Sequence, residues 1–260
     1  MADTTEQGLA GRTAIVTGGG RGIGRATAVA LAGAGVARIA LVARTAAQLD
    51  ETARAIEAAG AQPVAVTADL ADSDSVRTAV EAAERQLGQV DILVNNAGTV
   101  APLGATAKLD AADVLAALRL NVVAPILLAG AVADGMRDRS WGRIVNVSSG
   151  VVARPETMPG GGVYAATKAA LEAQTVSMAA EYADTGVHIN VYRPGPVDTA
   201  MQEWIRAQDP EAIGRRLHER FIGYRESGTL LTAEQSGAAL VAHLVRREET
   251  GRIWDVTDEL

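Results

Sequence analysis

Short runs of β-branched and apolar residues alternate along this chain with longer stretches of helical composition. Six runs have the character of strands, and they cover residues 12–18, 38–44, 63–70, 90–98, 143–149 and 187–195. The stretches between them predict helices over residues 24–35, 45–60, 75–88, 110–137 and 163–184. Nearly continuous apolar strands joined by crossover helices are typical of a parallel sheet that is covered on both faces. The alternation therefore predicts an α/β fold with a single doubly wound parallel sheet.

The chain of 260 residues shows no internal repeat, linker or low-complexity boundary. That length suits one compact α/β domain with a sizeable core. We therefore expect a single domain over residues 1–260, in which residues 1–11 form a flexible N-terminal tail.

Ligands of doubly wound sheets bind beyond the carboxyl ends of the strands. Glycines and polar residues follow every predicted strand, at Gly18–Gly24, Arg44, Asp69, Asn95–Gly98, Ser148–Ser149 and Pro194–Thr199. Because parallel strands place these ends at one edge of the sheet, the sequence predicts one ligand site there.

The first of these clusters, "TGGGRGIG" at residues 17–24, contains five glycines between a predicted strand and a predicted helix. Glycines in this context let the backbone approach a pyrophosphate, and the helix N-terminus favours its negative charge. The loop therefore predicts a dinucleotide site of the Rossmann type. For the glycine motif alone, the alternative is a tight strand-to-helix turn with no ligand.

Two arginines predict which dinucleotide is bound. A site for NAD usually carries an acidic residue at the end of the second strand, whereas this strand ends in Ala43 and Arg44. Arg44 and Arg21 together suit the 2′-phosphate of NADP, because guanidinium groups form charge-assisted hydrogen bonds with phosphate. The alternative is that both arginines are solvated surface charges.

Seven motifs in order make the chain resemble the short-chain dehydrogenase/reductase family over nearly its whole length. They are TGxxxGxG at 17–24, "DL" at 69–70, "NNAG" at 95–98, "LN" at 120–121, "NVSS" at 146–149, "YAATK" at 164–168 and "RPGPVDT" at 193–199.

The resemblance implies a catalytic tetrad of Asn121, Ser149, Tyr164 and Lys168. Tyr164 and Lys168 are four residues apart in a predicted helix and so share one face. Tyr164 would donate the proton in carbonyl reduction, with its pKa lowered by the Lys168 ammonium and by an oxidised nicotinamide. Ser149, rather than Ser148, would hold the substrate oxygen, and Asn121 would hold a water that links Lys168 to solvent.

The glycine loop, the two arginines and the resemblance together imply the cofactor contacts. These are Gly18, Arg21, Gly22, Ile23, Gly24, Arg44, Asp69, Leu70, Asn96, Ala97, Gly98, Tyr164, Lys168, Pro194, Gly195, Val197 and Thr199. We expect no metal site, because the chain has no cysteine and its three histidines are widely spaced.

The chain departs from the family pattern in two places. Ser149 and Tyr164 are fifteen residues apart, about two more than usual, so we expect Pro155–Gly162 to bulge beside the substrate. The C-terminal stretch resembles the sepiapterin reductase and benzil reductase branch, whose members are NADPH-dependent reductases of diketone-like substrates. Asp255 or Asp258 would then correspond to the acidic residue that contacts a pterin in that branch.

Charge and composition narrow the partners. A formal net charge of −7 argues against nucleic acid, because phosphate binding needs a basic face. The polar first ten residues lack the features of a signal peptide, and no apolar run has the length of a membrane span. We therefore expect a cytoplasmic protein without a membrane partner. The resemblance implies a homodimer or homotetramer built on the long helices.

The sequence thus favours an NADPH-dependent carbonyl reductase that acts on a ketone or diketone. Two other enzymatic interpretations stay open, a 3-oxoacyl-thioester reductase and an alcohol dehydrogenase that works in the oxidative direction. A protein that senses NADP without turnover is a further alternative, which the presence of both Tyr164 and Lys168 disfavours.

Overall fold

The computed structural model describes residues 8–258, which form one seven-stranded sheet with helices on both faces. The strands are β1 Thr13–Thr17, β2 Arg38–Ala43, β3 Gln62–Thr67, β4 Ile92–Asn95, β5 Gly142–Val147, β6 Val187–Arg193 and β7 Ile253–Asp255. All neighbouring strands are parallel, in the order β3-β2-β1-β4-β5-β6-β7. The prediction of a doubly wound parallel sheet is confirmed.

Ten α-helices lie along the described part of the chain. They are α1 Gly22–Gly33, α2 Ala46–Ala58, α3 Ser73–Leu87, α4 Ala111–Leu118, α5 Ala124–Asp138, α6 Gly162–Glu181, α7 Ala200–Arg206, α8 Pro210–Ile213, α9 Arg215–Glu226 and α10 Ala233–Arg246. Helices α1 and α10 cover one face of the sheet together with α2, and α3, α5 and α6 cover the other. The C-terminal half of the chain adds α7 to α9, whose buried residues form a third apolar cluster.

The core has two layers because side chains alternate across each strand. In β1, Ile15 faces the layer under α3 and α5, whereas Ala14 and Val16 face the layer under α1 and α10. All five residues of β1 are buried. A strand without a solvated face is typical of the centre of a parallel sheet. β1 lies between β2 and β4, so the loop that follows it begins in the middle of the sheet.

The seventh strand was not predicted. β7 has only three residues and pairs with β6, and its Trp254 is almost fully buried. A three-residue strand carries too little periodicity to be recognised locally.

The predicted helix over residues 110–137 is one helical rod with a π-helical turn at Arg119–Val123 between α4 and α5. A π turn inserts an extra residue and rotates the helical face, and such turns often occur at functional sites. The buried Asn121 lies in this turn.

This helical rod, Ala111–Asp138, is long and apolar enough to cross a membrane by length and composition, with a mean hydropathy of 2.0 over its most apolar window. The sequence expectation that no run reaches that length was therefore wrong. The rod packs in the core through α5 residues such as Leu128 and Met136, which are fully buried. Of the apolar window, 33% is buried inside the protein, and one such helix is weak evidence of a membrane.

Residues 1–7 of the expected N-terminal tail lie outside the described residues. The rest of that segment contacts the fold, because Leu9 is 2% exposed within the core and the Gly11 amide donates to Gly35.

Candidate active site

The glycine loop after β1 has the conformation that only glycine tolerates well. Gly18 and Gly22 have φ values of 64° and 55°, in the left-handed region that other residues rarely adopt. A Cβ atom on Gly24 would overlap the Gly18 carbonyl oxygen and the Asn96 side-chain amide. The loop thus turns tightly into α1, and side chains at Gly18, Gly22 or Gly24 would disturb that turn.

The N-terminus of α1 is suited to an anion. Its N-cap residue, Arg21, makes no side-chain cap bond, and its first turn has no acidic residue. The first amide groups of a helix carry the positive end of the helix dipole and lack partners within the helix. The residues present therefore fit the pyrophosphate of a dinucleotide, which is the fit that the sequence predicts for Gly18, Gly22, Ile23 and Gly24.

Arg21 and Arg44 are both exposed at this end of the sheet. They follow adjacent strands, since β1 pairs with β2 and the Gly18 amide donates to Val42 at 2.8 Å. No acidic side chain occupies the end of β2, which finishes at Ala43.

The end of β4 is bonded to the glycine loop through Asn96. Its Nδ2 donates to the Thr17 carbonyl at 2.9 Å, and the Asn96 and Ala97 amides donate to Thr17 Oγ1 at 3.0 and 3.1 Å. The side chain of Asn96 therefore holds β1 and β4 in register. Gly98 continues towards the catalytic residues, where an added Cβ would lie 3.2 Å from Asn121 Oδ1 and 3.6 Å from Lys168 Nζ.

The other predicted cofactor residues follow β3 and β6. Asp69 is exposed and accepts from the Ala71 amide at 3.1 Å, while Leu70 is buried. Gly195 has a φ of 72° and follows Pro194, and Thr199 reaches the glycine loop, 3.5 Å from where a Cβ of Gly22 would lie.

Val197 differs from its neighbours in this segment. It is 3% exposed and its backbone bridges to Leu231. Because its side chain is buried, the predicted cofactor contact at Val197 is one that its backbone atoms would make.

Tyr164, Lys168 and Ser149 come together in the structure. Tyr164 and Lys168 lie one turn apart on α6, and Lys168 Nζ is 6.0 Å from the centre of the Tyr164 ring. Ser149 follows β5, and its side chain caps the short 3-10 turn Gly150–Ala153. Burial raises the pKa of Tyr164, and the neighbouring Ser149 hydroxyl lowers it. The phenol is therefore protonated at neutral pH and is placed to donate.

Lys168 is buried and held by the strand beneath it. Its Nζ donates to the Val147 carbonyl at 2.7 Å. Burial lowers its pKa to about 8, and the nearby carboxylate of Glu172 raises it. The group is thus mostly an ammonium at pH 7 and loses its proton within the range of common assay buffers.

Asn121 is fixed by the chain around it. Its Oδ1 accepts from the Thr99 amide at 2.8 Å, and its Nδ2 donates to the Thr99 carbonyl at 2.8 Å and to Thr167 Oγ1 at 3.0 Å. The side chain clamps the loop after β4 to α6. Sequence reasoning missed Thr99 and Thr167 as partners, because neither stands out in its local motif.

An apolar wall lies beside Tyr164. Its buried members are Val100, Met158, Ile205, Ile213, Leu217 and Phe221, and Leu103, Val151, Tyr164, Met201 and Tyr224 pack against them. We call this set the apolar wall. On α7, Met201 packs against the wall, whereas Trp204 is 40% exposed.

The inserted segment Pro155–Gly162 belongs to this wall rather than to a free bulge. It begins with a 3-10 turn at Pro155–Thr157, and its Met158 is buried. The Gly160 carbonyl accepts a hydrogen bond from the Gly104 amide at 2.8 Å. The insertion is ordered because its single methionine enters an apolar cluster and its backbone finds partners.

The acidic residues near the C-terminus are engaged with their own turn. Asp258 accepts from the Asp255 amide at 2.8 Å, and Asp255 accepts from Thr257. Within residues 8–258 there is also no group of three histidine, aspartate or glutamate side chains that could hold a metal ion.

Comparison with known proteins shows the family to which a chain with these residues belongs. Residues 12–210 match the model of the short chain dehydrogenases. The chain belongs to the short-chain dehydrogenase family. The family prediction is therefore confirmed, and members of the short-chain dehydrogenase family are oxidoreductases that use a nicotinamide cofactor on CH–OH or C=O groups.

Relatives of this short-chain dehydrogenase have varied names. A short chain dehydrogenase of Pseudocercospora fijiensis is 39% identical over 195 residues, 74% of this chain and 62% of that protein. The acetoacetyl-CoA reductase of Cupriavidus necator is 33% identical over 230 residues, 87% of this chain and 92% of the relative. A blue fluorescent protein from a metagenomic library, in complex with NADPH, is 33% identical with a TM-score of 0.80, and the match covers 96% of this chain and 98% of that one. The chain thus spans less than two thirds of the first relative.

Proposed function

We propose that this short-chain dehydrogenase is an NADPH-dependent carbonyl reductase of apolar ketones or diketones. The observation that carries the proposal is the position of Tyr164. Its hydroxyl neighbours that of Ser149, and its ring packs against the apolar wall, one turn from the Lys168 ammonium. A proton donor thus faces an apolar surface at the edge where the cofactor fits.

The residues have separate tasks in this reaction. When bound, NADPH supplies the hydride. Tyr164 donates its proton to the carbonyl oxygen, and Ser149 holds that oxygen by a hydrogen bond as negative charge develops on it. The Lys168 ammonium favours the phenolate that remains on Tyr164, and Asn121 keeps the loop after β4 against α6.

Arg21 and Arg44 support NADPH over NADH. Both are exposed at adjacent strand ends, and β2 ends without the carboxylate that would bond a free ribose hydroxyl. A 2′-phosphate gains two guanidinium partners there.

The composition of the apolar wall favours an uncharged substrate. Arg220 on α9 donates to the Thr157 carbonyl and to the hydroxyl of Tyr224, which packs against this wall. The donor groups of Arg220 therefore form hydrogen bonds that join the insertion to α9. A resemblance to the diketone-reducing branch fits such a wall.

A 3-oxoacyl-thioester reductase is the second candidate, and the similarity to an acetoacetyl-CoA reductase favours it. A panel of diketones, quinones, pterins and acyl thioesters, assayed with NADPH and with NADH, separates the candidates. We expect the highest kcat/KM with NADPH and an apolar ketone or diketone. Turnover confined to the thioesters would select the second candidate, and NADPH binding without any turnover would select a sensing role.

We also propose that a second copy of the chain covers the exposed apolar face of the helical rod and α6. The large exposed residues of that face are Leu115, Leu118, Val123, Ile126, Leu127 and Val176. Large exposed apolar patches often mark interaction sites. Sedimentation equilibrium of the wild type and of Leu127→Asp tests this, since a dimer or tetramer that dissociates in the variant is the expected result.

Location in the cytoplasm, and the absence of nucleic acid and membrane partners, remain predictions.

A further inference from the structure

A buried ion pair lies directly behind the catalytic lysine. Glu172 is one turn after Lys168 on α6 and is 6% exposed. Arg193, the last residue of β6, donates from Nε to Glu172 Oε1 at 2.9 Å and from Nη2 to Oε2 at 2.7 Å. Two parallel bonds of this kind fix the relative orientation of both groups. The pair therefore joins α6 to the end of β6.

The same carboxylate holds the end of β5. Ser148, which is almost fully buried, donates from Oγ to Glu172 Oε1 at 2.7 Å. Ser148 lies between Val147, whose carbonyl receives Lys168, and Ser149, whose hydroxyl contacts Tyr164. One carboxylate thus fixes the strand end that bears the partners of both catalytic side chains.

Arg193 extends the connection to the predicted nicotinamide loop, because Pro194 and Gly195 follow it directly. We propose that Glu172 and Arg193 are positioning residues, which hold Lys168 and Ser149 in fixed register with the loop Pro194–Thr199. The proposal rests on the carbonyl reductase function for its kinetic part. Its structural part concerns Lys168 and cofactor binding and is measured without turnover.

The charges around Lys168 give the proposal a distinctive signature. On α6 the titratable neighbours are Tyr164 and Glu172, and β6 contributes Arg193 through its pair with Glu172. β5 and the π-helical turn contribute neutral groups to this environment, the Val147 carbonyl and Asn121. Asp255 on β7 raises the pKa of Arg193 by its charge. Glu172 is the carboxylate that opposes the effect of burial on the pKa of Lys168.

The test is Glu172→Gln, which keeps the shape of the side chain and removes its charge. The chain has two lysines, Lys108 and Lys168, so 13Cε labelling of lysine gives one exposed and one buried NMR signal to titrate. We expect the pKa of Lys168 to fall below its wild-type value of about 8, while that of Lys108 stays unchanged. The Kd for NADPH, measured by fluorescence, should rise about tenfold, and the decline of kcat with rising pH should begin at a lower pH than in the wild type.

Three further variants provide controls. Glu181→Gln makes the same charge change at an exposed position on the same helix and should leave the Lys168 pKa and the NADPH Kd as in the wild type. Arg193→Lys keeps the charge and should retain the Lys168 pKa but lose part of the NADPH affinity. Ser148→Ala removes only the hydroxyl and should lower kcat severalfold without lowering the Lys168 pKa, which keeps the test valid if Glu172→Gln does not fold.

The outcomes are separable. An unchanged Lys168 pKa and NADPH Kd in a folded Glu172→Gln protein would overturn the proposal, as would wild-type kcat in Ser148→Ala. Absence of carbonyl turnover in the wild type, with the expected NMR and NADPH results in the variants, would overturn the proposed function and leave the positioning role in place.

Discussion

The proposed cofactor half and the proposed substrate half of this site are built from different parts of the chain. The proposed cofactor half centres on one local segment, Thr17–Gly24, whose tight turn requires glycine, and residues from the ends of other strands join it. The proposed substrate half is an apolar wall of side chains that come from Val100, from Met158 in the insertion and from Leu217 on α9. A Cβ at Gly24 has no room, whereas side chains of the wall can be exchanged for others of similar volume. Cofactor choice and substrate choice can therefore change independently in this enzyme.

Tyr164 packs against the apolar wall and is also a predicted cofactor contact, so its removal is expected to have the largest effect. Tyr164→Phe keeps the ring in the apolar wall and removes the proton donor. We expect kcat to fall about 10²- to 10⁴-fold, the usual contribution of a positioned acid, with the NADPH Kd within twofold of the wild type. Stopped-flow hydride transfer and fluorescence titration measure the two quantities. A variant with near wild-type kcat would show that another group protonates the carbonyl.

A methyl group in the glycine loop should damage the cofactor half alone. Gly24→Ala places a Cβ against the Gly18 carbonyl and the Asn96 amide, and overpacking of this kind usually costs about 1–3 kcal/mol. We expect the NADPH Kd to rise roughly 10- to 100-fold. Gly33→Ala is the matched control, because a Cβ there meets nothing within 4 Å. Equal NADPH binding in both variants would mean that the loop does not hold the cofactor.

Reversing the charge at the end of β2 should change cofactor preference rather than overall binding capacity. Arg44→Asp removes one guanidinium and introduces the carboxylate that suits a free ribose. We expect the ratio of kcat/KM for NADPH over NADH to fall about tenfold, in line with one charge-assisted hydrogen bond to phosphate. Steady-state kinetics with both cofactors gives the ratio. A wild type that already prefers NADH would contradict the assignment of NADPH.

The smallest expected effect is a change of substrate ranking. Met158→Ala opens the apolar wall where the insertion enters it. Methionine is flexible, so we expect a shift of only about threefold to tenfold in kcat/KM towards a bulky diketone relative to a small one. The NADPH Kd should not change, and the comparison of the two halves would fail if it weakened while the substrate ranking stayed the same.

The features that local sequence predicted are those with a local physical cause. Strands β1 to β6 are recognisable because each is an apolar run of four to seven residues with helical stretches between. The glycine loop is recognisable because its conformation requires glycine at Gly18 and Gly22. Tyr164 and Lys168 are four residues apart on one helix, so helical geometry alone places them together.

Other features were missed because distant segments create them. Glu172 and Arg193 are 21 residues apart, and neither has a local reason to be charged and buried. β7 is a strand only because β6 offers an edge for its three residues. The π-helical turn that buries Asn121 resembles ordinary helix in sequence.

The sequence by itself predicted the first six strands and the helices between them, and it placed Tyr164 and Lys168 on one face of a helix. It did so because backbone conformation and hydrophobic periodicity act over a few residues at a time. The tertiary structure alone decided that Pro155–Gly162 closes into the apolar wall and that Glu172 reaches both Ser148 and Arg193. Burial, and the pKa of Lys168 that follows from it, depend on which segments pack around a group, and that packing exists only when the sheet and its helices are assembled.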